Sequence, residues 1–414
     1  MTAILKRNIP SKWAVLCLLN LFIASILGVL MRYKILYELP ALVQNNLLHA
    51  HSHFVFQGWI SLALFCIFVL FFLPKEVSDK RSYTILFWIM QISAFGMMIS
   101  FMYSGYYYVS IIFSTITQLA FYWFAVRFWI DLNKTDVNRV AKWFAIAALL
   151  CGIISSMGPY ALGYYSVTKT SSALSIRTSI YFYLHFQYNG WFIFSIFSIF
   201  INWFHKRFLM QHNELKWFFI FSALSIIPGY ALSIIGYYKT PMVMINSYFS
   251  IITQAIAMIL FTVFLISNKD KIKSQLSTIT RRLWYIAFFS LWIKVIMQSL
   301  SLSPELANVA FSFRPLVIGY LHLIFICVVS FFIFGYLIQF QKLKFSTSYA
   351  AYYGVIFFVL TSLANEFVLF LQAFGFYFQI SIRHVPATLL YVSIGMAVGL
   401  LLFFLGQFSK RKFV

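Results

Sequence analysis

The sequence predicts an all-α polytopic membrane protein of about twelve transmembrane helices, and three observations predict it. Of its 414 residues, 62% are apolar and only 10% charged, with a mean hydropathy of +0.86. That leaves too little polar surface to cover a soluble core. Apolar runs of about 20 residues, the length that crosses a bilayer as a helix, recur along the whole chain. Short basic clusters separate them, and no run alternates as the strand of an outer-membrane barrel does.

Taken in order, the runs place helices at 13–31, 49–73, 83–103, 108–130, 141–161, 180–204, 216–237, 246–267, 283–300, 314–340, 350–378 and 385–407. The first, Trp13 to Met31, is followed at once by Arg32 and Lys34 and not by small residues, so it reads as a retained helix and not a cleaved signal. The net charge of +22 sits between the runs, where orientation signals are placed, so nucleic-acid binding is excluded. Counting Lys and Arg on alternate sides gives 23 on the side of both termini and 7 on the other. The larger group includes Lys6, Arg7, Lys80, Arg139, Arg207, Lys271, Arg282, Lys410 and Lys412. An even helix number with both ends in the cytoplasm, in the inner cell membrane, follows from that asymmetry. Cys17, Cys66, Cys151 and Cys327 lie inside apolar runs without C-x-x-C spacing and read as packing residues.

The chain repeats itself. His53-Phe-Val-Phe-Gln-Gly-Trp59 opens helix 2, and His185-Phe-Gln-Tyr-Asn-Gly-Trp191 opens helix 6, 132 residues later. Phe113-Ser-Thr-Ile-Thr-Gln118 returns as Phe249-Ser-Ile-Ile-Thr-Gln254, and Gly105-Tyr-Tyr107 as Gly236-Tyr-Tyr238. Tyr183-Leu-His-Phe186 has a fainter third copy in Tyr320-Leu-His-Leu323. Residues 1–414 are therefore expected to form one transmembrane domain of three parallel four-helix repeats, roughly 13–130, 141–267 and 283–407.

Five histidines, His49, His51, His53, His185 and His322, fall toward the outer ends of helices 2, 6 and 10, at equivalent points of the repeats. At about 100° per residue, His49 and His53 share a helix face while His51 points nearly opposite. Gln57 and Asn189 follow their histidines by one turn and are placed to orient an imidazole. The bland alternative is a set of packing histidines satisfied by backbone carbonyls or water. Imidazoles without thiolates or a carboxylate cluster suit haem iron or copper; His49, His53 and His185 are the candidate metal ligands. Lys294 and Glu366 are charges inside apolar runs of helices 9 and 11, read as a mutual pair, as snorkelling side chains, or as a proton path toward the histidine layer.

Three four-helix arcs with histidines at the outer ends of helices 2, 6 and 10 resemble subunit I of the haem–copper oxidase superfamily, which includes nitric oxide reductases. The clustered H-x-H in a short chain also resembles the related haem- and copper-containing membrane proteins of the nitric-oxide response. The resemblance covers the whole chain in architecture. It implies haem, b-type, with copper as a second metal. It puts a haem ligand at His53 or His51 and another at His322, a copper ligand at His185, and propionate contacts at Arg383 and Arg314. Helix 7 has no histidine, so the standard three-histidine copper centre is not expected. The implied function is a haem-binding redox protein handling electrons or a small gas, nitric oxide or oxygen. Two other classes stay open: a transition-metal or proton-coupled transporter using the same histidines, and a cofactor-free assembly subunit.

Overall fold

A computed structural model describes residues 11–210 and 212–409; the basic residues Lys6, Arg7, Lys410, Arg411 and Lys412 lie outside that range. Among the described residues every regular element is helical. Eleven helices are long and apolar enough to cross a membrane. They are α1 (Lys12–Leu36), α2 (Gln44–Phe72), α3 (Arg81–Ser104), α4 (Tyr108–Asn133) and α5 (Arg139–Thr168), then α7 (Asn213–Ile234), α8 (Pro241–Ser267), α9 (Thr278–Leu300), α10 (Arg314–Gln339), α11 (Tyr349–Tyr377) and α12 (Val385–Gly406). Between α5 and α7 lies α6, a continuous helical stretch over 173–208 in which Gln187, Asn189 and Asn202 dilute the apolar residues. The protein is an all-α polytopic membrane protein. Several boundaries move outward from their expected places, among them α2, starting at Gln44, and α6, starting at Ala173. Polar first turns lie outside the apolar run that hydropathy detects, yet they still carry helical backbone.

The helices differ in what surrounds them. On α4, Ile111, Ile112, Leu119, Trp123, Val126 and Ile130 are exposed, the reverse of a water-facing surface and a match for lipid. The bilayer is therefore a partner of this chain. By contrast, α6 is buried without interruption from His185 to Phe204, and α2 is buried over 89% of its apolar window. A helix apolar on every side belongs inside protein, and the phenylalanine-rich runs of α2, α6 and α10 have that composition.

Packing divides the chain into two compact units. One holds the chain up to Phe124, Arg282–Trp284 and the chain from Ser330; the other holds Ala125–Arg281 and Tyr285–Val329. In the first, α11 packs along α12, α12 against α1, and α2 against α3. Buried amides tie its helices together: Asn20 on α1 donates to the Gly58 carbonyl of α2 at 2.6 Å and to Gln91 Oε1 of α3 at 2.8 Å, and Gln91 donates back at 3.0 Å. Asn20→Leu would orphan Gln91 and the carbonyl, so a loss of about 1–3 kcal/mol is expected. Adding Gln91→Leu should then cost less than the two singles summed, as an unfolding midpoint in detergent would show. The turn from α3 to α4 runs through Gly105 at φ 62°, ψ −141°, a conformation closed to residues with a Cβ. In the second unit α5 packs on α6 and α7 on α8.

One local feature recurs. Three stretches of π-helix, Phe54–Ser61, Phe186–Phe192 and Leu323–Ser330, interrupt α2, α6 and α10. Each begins on the residue directly after a histidine: His53, His185 and His322. π-Helical turns inside α-helices are rare and concentrate at functional sites.

Candidate functional site

The histidines of α2 have different surroundings, as the helical geometry requires. His51 turns toward α1, where its Nδ1 lies 2.9 Å from the Ala24 carbonyl and so donates to it. The ring lies over Gly28, one turn on, where a Cβ would stand at van der Waals contact, 3.4 Å from His51 Cε1. With Nδ1 protonated, Nε2 carries the lone pair, and it has no hydrogen-bond partner among the described residues. His53 faces α3 instead. Its ring stacks on Phe101 at 4.6 Å and 7°, and its Nε2 lies 3.0 Å from Tyr106 Oη. His49 meets the same tyrosine edge-on at 4.6 Å. Tyr106 lies in the α3–α4 turn and is more than half exposed, and a phenol keeps its proton at physiological pH.

In the second unit His185 is committed. Pro228 and Gly229 break α7 after Ile226, and the Tyr230 N–H turns to the Ile227 carbonyl, leaving the Ile226 carbonyl without its helical donor. His185 Nε2 donates to that carbonyl at 2.7 Å, and its Nδ1 accepts from Asn189 Nδ2 at 3.1 Å. Both ring nitrogens are used, so in this arrangement His185 offers no lone pair to a metal. His322 ends the first α-helical segment of α10. Among the described residues no three His, Cys, Asp or Glu side chains gather as a metal-binding group. Arg383, in the turn before α12, and Arg314, at the start of α10, are both exposed.

The two intramembrane charges have separate partners. Lys294 donates to Gln254 Oε1 of α8 at 2.7 Å. Glu366 accepts from Asn365 at 3.0 Å, and the charge it feels is Arg32 on α1. Each charge thus has a polar neighbour within its own unit. Sequence reasoning passed over Tyr106 and Gln254 as partners, although both belong to the repeated Gly-Tyr-Tyr and Phe-Ser…Thr-Gln motifs. Ala24, Ile226 and Arg32 carried no signal, since the first two act through backbone carbonyls.

Fold and sites together define a multi-pass helical membrane protein with two polar, histidine-bearing clusters inside it. Compared with models of protein families and with curated proteins, the chain matches none.

Proposed function

We propose that the protein is a haem-binding redox protein of the inner cell membrane, resembling haem–copper oxidase subunit I, that handles electrons or a small gas such as nitric oxide or oxygen. The observation that carries this reading is the histidine at the α-to-π junction of α2, α6 and α10, which supports three copies of one four-helix unit with a ligand-type residue at the same point of each. His51 fits the group best. A histidine that held the iron would be oriented by donating its other ring N–H to a carbonyl, and His51 donates to Ala24. Haem, when bound, supplies an iron that changes oxidation state and takes a diatomic ligand. His53 is engaged by Tyr106, and in this reading it and Phe101 line the surroundings of the group. Copper is the second metal to assay.

The experiment is a ligand series on haem-loaded protein. His51→Ala should lose the low-spin spectrum of the wild-type protein. If His51→Ala keeps the spectrum and His53→Ala loses it, the ligand is the neighbouring histidine.

Orientation is part of the proposal. The 23-to-7 division of basic residues puts both termini in the cytoplasm. A C-terminal reporter active only after export should stay silent; activity there would invert the topology.

A second reading, a proton- or metal-coupled transporter, is favoured by one observation. The break in α7 lies beside a cavity that Lys294, Gln254 and Asn189 reach, as broken helices line binding sites in transporters. Absence of haem and copper from protein made with both in supply would favour it.

A further inference from the structure

Within the second unit, α6, α7, α8 and α9 enclose a cavity of about 40 Å³, lined by both ionisable and amide side chains. A water needs roughly 10–15 Å³ of such space and two to four polar partners, so this cavity has room for two or three waters. Two buried acceptors lining it, Asn189 Oδ1 and Gln298 Oε1, have no hydrogen-bond partner among the described residues. Both side chains are more than nine-tenths buried, at 6% and 8% exposure. The orientation of Asn189 is set by its neighbour. His185 gives its Nε2 proton to Ile226, so Nδ1 must accept, which turns Asn189 Nδ2 toward the ring and Oδ1 away.

Lys294 enters the cavity from α9 and is 4% exposed. One of its three N–H groups goes to Gln254 Oε1, and the described residues provide no acceptor for the others. No carboxylate lines the cavity. The other titratable group there is His185, which feels the charge on Lys294; α7 and α8 contribute serines, Gly229 and Gln254 but nothing ionisable. The carbonyl end of the first α7 segment also lies at this wall, with the Ser225 carbonyl accepting from Ser250 at 2.9 Å. Helix C-termini carry partial negative charge, which favours a cation nearby. An ammonium here is therefore solvated by acceptors and a helix end but is neutralised by no fixed anion.

We propose that this cavity is an internal proton-binding site, in which Lys294 gains and loses the proton and water carries it. Water bridging the free N–H groups to Asn189 Oδ1 and Gln298 Oε1 satisfies both orphaned acceptors. On release the N–H electron pair stays on Nζ and the proton passes to water, so Lys–NH3+ and H2O give Lys–NH2 and H3O+. Gly229 keeps the wall close, since a Cβ there would meet the Ser225 carbonyl at 2.8 Å and His185 Cε1 at 3.0 Å.

The test is lysine side-chain NMR on 15N-lysine protein in lipid nanodiscs. The Lys294 resonance is identified by its loss in Lys294→Arg, which keeps the charge and hence the fold. It should pass through a single protonation step within pH 5–10, separate from that of the loop lysines. In the Asn189→Leu/Gln298→Leu double variant the step should move toward acid by a pH unit or more, because the charged amine loses its water-bridged acceptors. One unchanging charge state across that range, or a step unmoved in the double variant, overturns the proposal. Haem plays no part in the readout, so this result and the haem assignment stand or fall separately.

Discussion

Gly399→Leu should abolish stable folding of the first unit. At Gly399 the backbones of α11 and α12 touch: a Cβ there would meet Phe358 N at 2.6 Å, Phe358 Cα at 2.9 Å and the Gly354 carbonyl at 3.0 Å. Gly354 and Gly406 meet the opposite backbone in the same way, at Phe403 and Ala351. Membrane helices associate through such small-residue seams, because lipid offers no hydrophobic force to bring them together. A leucine cannot move away from main chain on both sides, so the helices must separate, at a cost of about 3 kcal/mol or more. Size-exclusion chromatography after mild detergent extraction should show little monodisperse protein. Gly163→Leu is the control, since a Cβ there meets nothing within 4 Å, and it should behave as wild type.

His185→Leu should be nearly as damaging, and for a reason unconnected with metal. It removes the donor to Ile226 at the α7 break and the acceptor for Asn189, leaving two polar groups orphaned at a position 2% exposed. At about 1–3 kcal/mol for each unsatisfied group, a loss of about 2–6 kcal/mol is expected. Adding Asn189→Leu should cost less than its single effect, because the amide has already lost its partner. Thermal unfolding with and without copper separates this role from ligation: the deficit should be the same in both. A wild-type protein stabilised by copper, with the gain lost in His185→Leu, would make His185 a ligand after all.

The parts of this protein that were legible in its sequence are those written in composition. Helix number and lipid contact follow from hydropathy. The repeat motifs pointed to His53, His185 and His322 as equivalent, and the π-helical turns fall one residue beyond each. The turns themselves were not legible, because a shift from i+4 to i+5 bonding changes no side chain's polarity. Pro228-Gly229 was a readable break inside the run 216–237 and passed for continuous helix, since apolar residues flank it on both sides. The division of labour between His51 and His185 lay beyond sequence, for each is decided by a backbone carbonyl on another helix, Ala24 and Ile226. Lys294 and Glu366 were found as charges, but their partners Gln254 and Arg32 come from packing that residue type does not encode.

The most direct measurement of the central claim is a reduced-minus-oxidised visible spectrum of the purified wild-type protein, made with haem and copper both in supply. Haem ligated at His51 predicts a Soret band that sharpens and shifts on reduction, with resolved α and β bands of a low-spin b-type centre. A featureless spectrum, from protein whose metal content shows neither iron nor copper, would contradict the redox reading.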